Sequence, residues 1–572
     1  MSRLTHRYLE DAVSRRIAQL LLLGALVVGV AGAIGLAWCC DDAFISFRYA
    51  QNLNDGHGLV YNVGERVEGY TNFLWTVIVA GGLLIGLDPV RLTQWLGIAA
   101  FVGIALLCFR LSHRFTGERN HAALAVPLSA LAVLLHEDMQ IWATSGLETM
   151  FTAFLVTTGF VLLVRAEKPN DFLAAGMVNV LAAMTRPDAM LFLVMAIPYI
   201  LLRGERRCGR LGLYLLPFVV IYLPYWAIKY AYYGYPFPNP YYAKSASLPY
   251  YSQGWTYVWL YFKTNCALLA IVPAWIVAGW VALRATLGRA QLDTFAKRIL
   301  VLGLFCTMPF VLYVMRVGGD FMFARFLIPI TAMLLLTIEA AVIRTVRSQL
   351  LQAAIVAALV LMVIFRNDPF DPPDKSIDGI TNEQAHYPSE LISNARRDGA
   401  KLKKYLTGLD VSAAYYGKLA MLAYYSRISK AIEAAGSLTD KESAHRPIQK
   451  RGRPGHEKRI PYPELVRRGV NFVLGGTFQS QPDPSLPGVI SFDGAICHIV
   501  TYHNDMMDNF RQYPEVKFLR FPEFLDQYIA GIDTLPIDRV RRDLVFFNEY
   551  YFSHNDDQQR SVQLMSHISG SR

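Results

Sequence analysis

Long apolar runs recur through the first two thirds of the chain, and they restrict its fold more than any other feature. The first run extends from Ile17 to Trp38, is interrupted only by Gln19, and is about long enough to cross a bilayer as one helix. Of the 572 residues, 53% are hydrophobic and 17% are charged, which excludes an ordinary soluble domain. We therefore predict an α-helical polytopic membrane protein with about eleven spans. The predicted spans are Ile17–Trp38, Val90–Cys108, Ala122–Leu135, Leu147–Val164, Phe172–Met184, Met190–Leu202, Leu211–Ile228, Ala267–Leu283, Ile299–Val314, Phe326–Val342 and Leu350–Phe365.

Lysine and arginine residues sort the segments between these runs into two sides. The N-terminus and the segments on its side carry most of the basic residues, provided that the apolar segment Asn72–Leu87 does not cross the membrane. By the positive-inside rule this side is cytoplasmic. The first outer loop, residues 39–89, and everything after Phe365 then lie on the opposite side. Topology accounts for the formal charge of +10, and no nucleic-acid motif accompanies it.

The composition changes at Arg366, which divides the chain into two predicted domains. Residues 1–365 form the transmembrane domain, and residues 366–572 form a C-terminal α/β domain outside the cytoplasm. The C-terminal part also holds a polar, basic stretch, Ala444–Arg459, predicted to be an exposed loop, and a tail after Asn555 predicted to be disordered. The elements predicted there are a helix, Glu390–Tyr405, and one strand at each of Val411–Tyr416, Val470–Gly475 and Val489–Val500.

Two adjacent carboxylates, Asp41 and Asp42, stand at the outer end of the first span. Ionisable side chains at a membrane boundary are costly without a partner or a function. One interpretation is chemistry on a lipid-anchored substrate at the membrane surface. The alternative is that Asp42 caps a short helix through Leu53 whose apolar face lies on the membrane.

Two further outer segments place charges beside apolar helices. Glu148 follows the segment WATSGL at the start of a span, where it either lines a polar cavity or complements the helix dipole. Arg186 and Asp188 lie in a tight loop between two short spans. A guanidinium group binds phosphate well, but an internal pair between Arg186 and Asp188 is the equal alternative.

The last two unusual outer segments are rich in aromatic residues or glycine. Tyr232–Lys244 alternates prolines with aromatic rings, which suits either sugar stacking or a membrane-interface belt, and Lys244 is a second candidate for phosphate binding. In Arg316–Phe326, two glycines permit close backbone approach, and Asp320 and Arg325 share one short loop. A structural ion pair would also explain those two charges.

Nucleotide and hydrolase signatures are absent from the sequence. It contains no Walker A loop, no GxGxxG after a strand, no HExxH and no GxSxG. A cytoplasmic nucleotide site is therefore not expected, and any donor substrate should come from the membrane.

The stretch DDAFISFRYAQNLNDGHGLVYNVGERVEGYTNFLW resembles the first outer loop of GT-C glycosyltransferases. It is most similar to the terminal β-(1→2)-arabinofuranosyltransferase family of mycobacterial cell-wall assembly. ATSGLE, RPD, YYGYPFPNPYYAKS and GGDFMFARF follow in the order that this family shows, and AGSLTDKESA with RGRPGHEKRIPYPELVRRGVNFVLG resembles its periplasmic domain. The resemblance implies a GT-C fold and covers most of the chain.

The resemblance also implies a reaction, namely inverting transfer of a sugar, here arabinofuranose, from a polyprenyl-phosphate donor such as decaprenyl- or undecaprenyl-phosphate arabinofuranose. The acceptor would be a glycan, lipid or protein of the cell envelope on the periplasmic side of a bacterial inner membrane. The family's acidic base maps to Asp41 or Asp42, and we favour Asp41, with Asp42 supporting it. The cations expected to hold the lipid phosphate are Arg186, Lys244, Arg316 and Arg325. The residues expected near sugar or acceptor are Arg48, Glu68, Glu148, Asp188, Asp320 and His456. A divalent metal ion is left open, and no other cofactor is expected.

Two other functions compete with this interpretation. A transporter or flippase of lipid-linked sugars would require polar or broken-helix residues at the middle of the membrane, whereas the charges here concentrate at one surface. A non-catalytic scaffold that binds glycan through the C-terminal domain would leave Asp41 and Asp42 explained only as a helix cap.

Overall fold

The structure is a computed structural model that describes residues 2–117, 126–203, 206–372, 375–417, 419–475 and 487–570. Its first part is helical, and a π-helical segment, Phe218–Tyr222, joins two of the helices into one. The helices of this part are α1 (Ser2–Gly35), α2 (Asp41–Asn54), α3 (Phe73–Leu84), α4 (Pro89–Gly117), α5 (Leu128–Leu135), α6 (Glu137–Ala143), α7 (Thr149–Arg165), α8 (Pro169–Thr185), α9 (Met190–Leu201), α10 (Arg207–Pro217), α11 (Leu223–Tyr233), α12 (Asn239–Ala243), α13 (Tyr251–Thr264), α14 (Ile271–Thr286), α15 (Phe295–Val317), α16 (Ile328–Thr345) and α17 (Gln349–Ile364).

Six helices of the described residues are long and apolar enough to cross a membrane. The prediction of about eleven spans is not confirmed, because several predicted spans correspond to shorter helices. One of them, Ala122–Leu135, lies partly outside the described residues, and the described part forms the eight-residue helix α5. The predicted non-crossing segment contains α3, whose 12 residues extend about 18 Å, against the roughly 30 Å of a hydrocarbon core. The six candidate spans are Arg16–Gly35, Pro89–Arg114, Arg207–Tyr233, Cys266–Thr286, Phe295–Val317 and Ile328–Thr345.

The C-terminal part is built around a mixed β-sheet with helices, as predicted. The strand order is β4-β3-β5-β7-β6-β8, in which β3 pairs in parallel with β4 and β5, and the other pairs are antiparallel. The elements are β1 (Ser376–Ile377), β2 (Ile380–Thr381), α18 (Glu390–Leu406), β3 (Ser412–Tyr415), α19 (Ala420–Ser426), β4 (Lys430–Glu433), α20 (Lys441–Ala444), α21 (Tyr462–Arg467), β5 (Phe472–Leu474), β6 (Val489–Phe492), β7 (Ala495–Ile499), α22 (Asn504–Asp508), β8 (Val516–Phe518), α23 (Phe521–Ala530), α24 (Ile537–Tyr550) and α25 (Gln558–Gly570).

The predicted helix and the predicted strands at Val411–Tyr416 and Val470–Gly475 are confirmed, whereas the single strand predicted at Val489–Val500 is two strands, β6 and β7. The predicted disorder of the tail and the predicted exposure of the stretch 444–459 are wrong. The tail contains α25, and Leu564 on this helix is fully buried. The stretch 444–459 is not simply an exposed loop, because Ala444 and Lys458 are buried. Lys458 Nζ donates a hydrogen bond to the carbonyl oxygen of Tyr242, 2.8 Å away, so this stretch docks onto the aromatic outer segment.

The first outer loop packs against the C-terminal part instead of lying free on the membrane. The ring of Phe44 on α2 lies 5.7 Å from the ring of Tyr424 and 5.6 Å from that of Tyr425, both on α19. Phe44 and Tyr49 are fully buried, so the predicted membrane-facing orientation of this helix is wrong. The two parts of the chain share one core, and the outer loops lie at their junction.

Candidate active site

A cavity of about 220 Å³ lies where the outer loops meet the C-terminal part. Its wall includes the side chains of Tyr241 and Tyr313 and, from the C-terminal part, Leu438. Residues from eight separate stretches of the sequence meet here. The residues predicted for function that line it are Asp42, Glu148, Arg186, Asp188, Lys244 and Arg325.

Glu148 stands at the centre of the charged cluster and is 2% exposed. Its Oε1 atom lies 3.4 Å from Nη2 of Arg325 and 3.6 Å from Nη1 of Arg186. Its Oε2 atom accepts a hydrogen bond from Nδ2 of Asn72 at 2.8 Å. Because Glu148 is tied to three groups, it holds the two guanidinium groups side by side at one wall of the cavity.

Two aspartates complete the restraint of the arginines. Asp188 accepts hydrogen bonds from Nε and Nη2 of Arg186 at 3.0 and 2.8 Å, which is the internal pair that the sequence left open. Asp320 Oδ2 lies 3.5 Å from Nη1 of Arg325. Burial lowers the pKa of each guanidinium, but the neighbouring carboxylates outweigh it and hold both pKa values above the usual range.

Each arginine keeps one nitrogen atom without a hydrogen bond. Among the residues that the structure describes, Nη1 of Arg186 and Nε of Arg325 are buried and have no hydrogen-bond partner. The half-buried Lys244 lines the same cavity and makes no ion pair within the described part of the chain. Buried donors of this kind are normally satisfied, so the cavity is suited to an anionic ligand.

Asp42 is half-buried and lines this cavity. It is the second residue of α2, whose N-cap is Cys40, so it is not the predicted cap. Its side chain accepts no hydrogen bond from the described residues, and its charge helps to raise the pKa of Arg325. A carboxylate with unused acceptor capacity thus shares a cavity with cationic donors.

Asp41 serves a different purpose from its neighbour. It is buried, and its Oδ2 and Oδ1 atoms accept the backbone N–H groups of Ala420 and Met421 at 3.2 and 3.0 Å. These are the first residues of α19, so Asp41 satisfies the N-terminus of a helix in the C-terminal part. Burial raises the pKa of Asp41 to about 8, and the charge of Asp42 adds to this rise.

Arg48 connects the first outer loop to the C-terminal part, and its three guanidinium nitrogen atoms donate hydrogen bonds to backbone carbonyl oxygens. Its Nε atom donates to the carbonyl oxygen of Tyr61 at 2.8 Å, Nη1 to that of Ala423 at 2.9 Å, and Nη2 to that of Ile428 at 2.7 Å. Its guanidinium also lies over the ring of Tyr61. The structure therefore places Arg48 away from the cavity, as a clamp between the first outer loop and the C-terminal part.

Besides Asp41, Arg48 and Asp320, three predicted residues do not line the cavity. Glu68 is buried beside Lys229, 3.2 Å away, and burial raises the pKa of Glu68 to about 7. The ring of His456 packs edge-on against Phe321 at 4.6 Å. Arg316 is exposed at the end of α15 and does not line the cavity.

Known proteins resemble this chain in sequence and in fold. No protein-family model matches the chain. It is 28% identical over 334 residues to the terminal β-(1→2)-arabinofuranosyltransferase of Corynebacterium glutamicum, a match that covers 52% of this chain and 47% of that protein. It is 29% identical over 235 residues to the Mycobacterium tuberculosis protein of the same name, covering 39% of this chain and 37% of that protein. The chain thus spans about half the length, or less, of the curated relatives that it matches.

Solved structures of low sequence identity share the architecture. The crystal structure of ArnT from Cupriavidus metallidurans bound to undecaprenyl phosphate aligns with a TM-score of 0.51 at 13% identity, covering 73% of this chain and 86% of ArnT. The apo form gives the same TM-score and covers 81% of this chain and 93% of ArnT. This chain has a GT-C fold. The predicted resemblance to terminal arabinofuranosyltransferases and the predicted fold class are both confirmed.

Some residues that line the cavity were not predicted as functional residues from the sequence. Besides its bond to Glu148, Asn72 accepts a hydrogen bond from Ser46 Oγ at 3.0 Å, and both residues line the cavity. Asn72 carried a readable signal, since it is a polar residue at the start of an apolar segment. Among the described residues, no group of three or more His, Cys, Asp or Glu side chains lies close enough to hold a metal ion.

Proposed function

We propose that this protein is a membrane glycosyltransferase that moves arabinofuranose from a polyprenyl-phosphate donor to a glycan, lipid or protein acceptor of the cell envelope. The observation that carries this proposal is one cavity that brings Asp42, whose carboxylate accepts no hydrogen bond from the described residues, together with two buried guanidinium groups. Each guanidinium keeps one nitrogen atom without a hydrogen-bond partner among those residues. The similarity to arabinofuranosyltransferases supports the choice of sugar, and the undecaprenyl phosphate in the ArnT crystal structure supports the class of donor.

The donor phosphate would be held by Arg186, Arg325 and Lys244. The carboxylates of Glu148, Asp188 and Asp320 contact some of the nitrogen atoms of Arg186 and Arg325. These contacts fix the position of both guanidinium groups before the substrate arrives. The nitrogen atoms proposed to donate to the phosphate oxygens are Arg186 Nη1 and Arg325 Nε, which have no hydrogen-bond partner among the described residues, and Lys244 Nζ. Such preorganised donors stabilise the negative charge that develops on the leaving phosphate.

Asp42 is the residue that we propose as the general base. It accepts the proton of the acceptor hydroxyl as the hydroxyl oxygen attacks the anomeric carbon of the sugar. The bond from this carbon to the phosphate oxygen breaks on the opposite face, so the configuration inverts and polyprenyl phosphate leaves. Asp41 is less suited to this step, because both of its oxygens accept backbone N–H groups.

Glu148 and Asp188 were predicted to lie near sugar or acceptor, and we propose a different role for them. Glu148 and Asp188 act by positioning the arginines, and the aromatic residue Tyr241 offers a face for the sugar ring. We also propose that the protein lies in a bacterial inner membrane with its N-terminus in the cytoplasm. The cavity and the C-terminal part then lie on the periplasmic side, as the distribution of basic residues predicts.

Reconstitution of the full chain in liposomes tests this function. Purified protein is incubated with polyprenyl-phosphate arabinofuranose labelled in the sugar, together with a cell-envelope glycan fraction. We expect label to pass to the glycan only when the donor is lipid-linked, and not from a nucleotide sugar. Movement of labelled lipid between leaflets without any transfer of label would instead favour a flippase.

A further inference from the structure

A second cleft, much larger than the catalytic cavity, lies at the junction of the outer loops and the C-terminal part. Its volume is about 1110 Å³, against about 220 Å³ for the cavity that contains Asp42. Ligand sites of about 300–1,000 Å³ hold compounds of drug size, so this cleft has room for an oligosaccharide. It is walled by the turn that contains Glu65, by the aromatic outer segment and by the C-terminal part.

Aromatic rings form one side of the cleft. His445 is exposed, and its ring stacks on that of Tyr242 at 4.2 Å and lies 4.5 Å from that of Tyr235. Lys441 Nζ lies 4.7 Å from the centre of the Tyr235 ring. The exposed ring of His445 thus lies beside polar groups in the cleft, a combination that matches the apolar and polar faces of a sugar ring.

Most of the charges in the cleft neutralise one another. Lys430 Nζ lies 2.7 Å from Glu65, and Arg468 lies 2.6 Å from Asp440 and 3.0 Å from Glu442. Thr439 is buried, and its Oγ1 has no hydrogen-bond partner among the described residues. Paired charges and an unused hydroxyl suit a neutral, polyhydroxylated ligand better than an anion.

The cleft and the catalytic cavity share one dividing segment. Leu438 lines the cavity, and the next residue, Thr439, lines the cleft. Asn239 fixes this segment, since its Nδ2 atom donates to the carbonyl oxygens of Leu438 and Ser437 at 2.8 and 3.2 Å. A narrow gap between the two spaces is bordered by Phe237, which also lines the cavity.

We propose that this cleft binds the acceptor as a neutral oligosaccharide chain, whose end reaches past the dividing segment to Asp42. The assignment of the ligand as an acceptor rests on the proposed function, whereas the binding of a neutral oligosaccharide can be measured without any transfer. The aromatic wall at His445 and Tyr235 sets the affinity, and the catalytic cavity binds the donor independently.

Binding to the full chain in detergent tests the cleft. A tetrasaccharide of arabinofuranose is titrated by calorimetry into wild type, His445→Ala, Tyr235→Ala and the control Tyr251→Ala, which removes a ring that is 57% exposed and outside the cleft. We expect the dissociation constant to rise about fivefold in the first two variants and to stay unchanged in the control. His445 is exposed, so its replacement leaves the fold intact.

Asp42→Asn separates this proposal from the proposed function. We expect this variant to bind the tetrasaccharide as wild type does while it loses transfer. Equal affinity of wild type and His445→Ala for the tetrasaccharide would contradict the proposed oligosaccharide site. So would the absence of tetrasaccharide binding to wild type. If wild type binds with the expected dependence on His445 but never transfers sugar, the proposed function fails and the oligosaccharide site stands.

Discussion

Two neighbouring aspartates take different environments because successive residues on a helix point about 100° apart. Asp41 faces α19 and accepts backbone N–H groups 379 and 380 residues away in the sequence, while Asp42 faces the cavity. No local pattern could separate them, since the difference arises from a distant segment. The sequence analysis favours Asp41, whereas the geometry of the structure leads us to propose Asp42 as the base.

Replacing a cavity arginine tests the proposed phosphate site at the scale of one residue. We expect Arg186→Gln to lower kcat/KM for the lipid donor about 100-fold, because one preorganised cationic donor is lost. Arg316→Gln is the matched control, since this arginine is exposed and outside the cavity. We expect it to stay within about twofold of wild type. Equal losses in both variants would argue against a phosphate site at Arg186.

Asp41 makes the stability of the fold depend on pH. Its folded pKa of about 8 lies above the ordinary value of 3.8, so the native state holds a proton that the unfolded chain has lost between these values. Stability should therefore fall as the pH rises towards about 8. We expect Tm to decrease from pH 5 to pH 9 in wild type and to decrease less in Asp41→Asn, measured by thermal unfolding in detergent. Identical slopes would show that Asp41 does not carry this dependence.

Secondary-structure elements divide into those that the sequence predicted well and those that it did not. Short apolar runs correctly predicted β3 and β5. The run predicted as one strand, Val489–Val500, forms the hairpin of β6 and β7, because Asp493 and Gly494 turn the chain there at positive φ. The ends of the membrane spans were predicted less well, because hydropathy measures composition and does not locate the ends of helices. The predicted span Leu211–Ile228, for example, is part of a continuous helix that runs from Arg207 to Tyr233.

The clamp made by Arg48 predicts how strongly α2 depends on the C-terminal part. Arg48→Met would leave the buried carbonyl oxygens of Tyr61, Ala423 and Ile428 without their donor, so we expect a loss of at least about 3 kcal/mol of unfolding free energy.

The matched control for Arg48 also joins α2 to the C-terminal part. Arg427 pairs with Asp55 at 2.6 Å, and both side chains are more than a third exposed. Such pairs contribute at most about 1 kcal/mol, so Arg427→Gln should change denaturant unfolding little. Similar midpoints for the two variants would contradict a clamp at Arg48.

At the scale of the whole molecule, the sequence indicated which segments between the apolar runs carry unusual residues, but not how these segments fit together. Aromatic, acidic and basic segments were predicted to share one face, and six of their charged residues do line one cavity. The exclusion of Glu68, Arg316 and His456 from this cavity depends on contacts between distant segments. The aromatic cleft also requires both parts of the chain, so neither part predicts it alone.

Membrane topology is a second prediction at this scale. Because basic residues cluster on the side of the N-terminus, we expect the C-terminal part to lie in the periplasm. Fusions of alkaline phosphatase and of a cytoplasmic fluorescent reporter to the end of the chain measure this directly. Phosphatase activity without fluorescence is expected. The reverse pattern would place the cavity on the cytoplasmic side and contradict the predicted arrangement.

The most direct measurement of the central claim compares Asp42→Asn with Asp41→Asn in reconstituted transfer from polyprenyl-phosphate arabinofuranose, with both proteins folded and at equal amounts. A general base contributes about 10²- to 10⁴-fold, so Asp42→Asn should reduce the initial rate at least about 100-fold. Asp41→Asn should retain most of the activity. Full transfer by Asp42→Asn would contradict the assignment of Asp42 as the base.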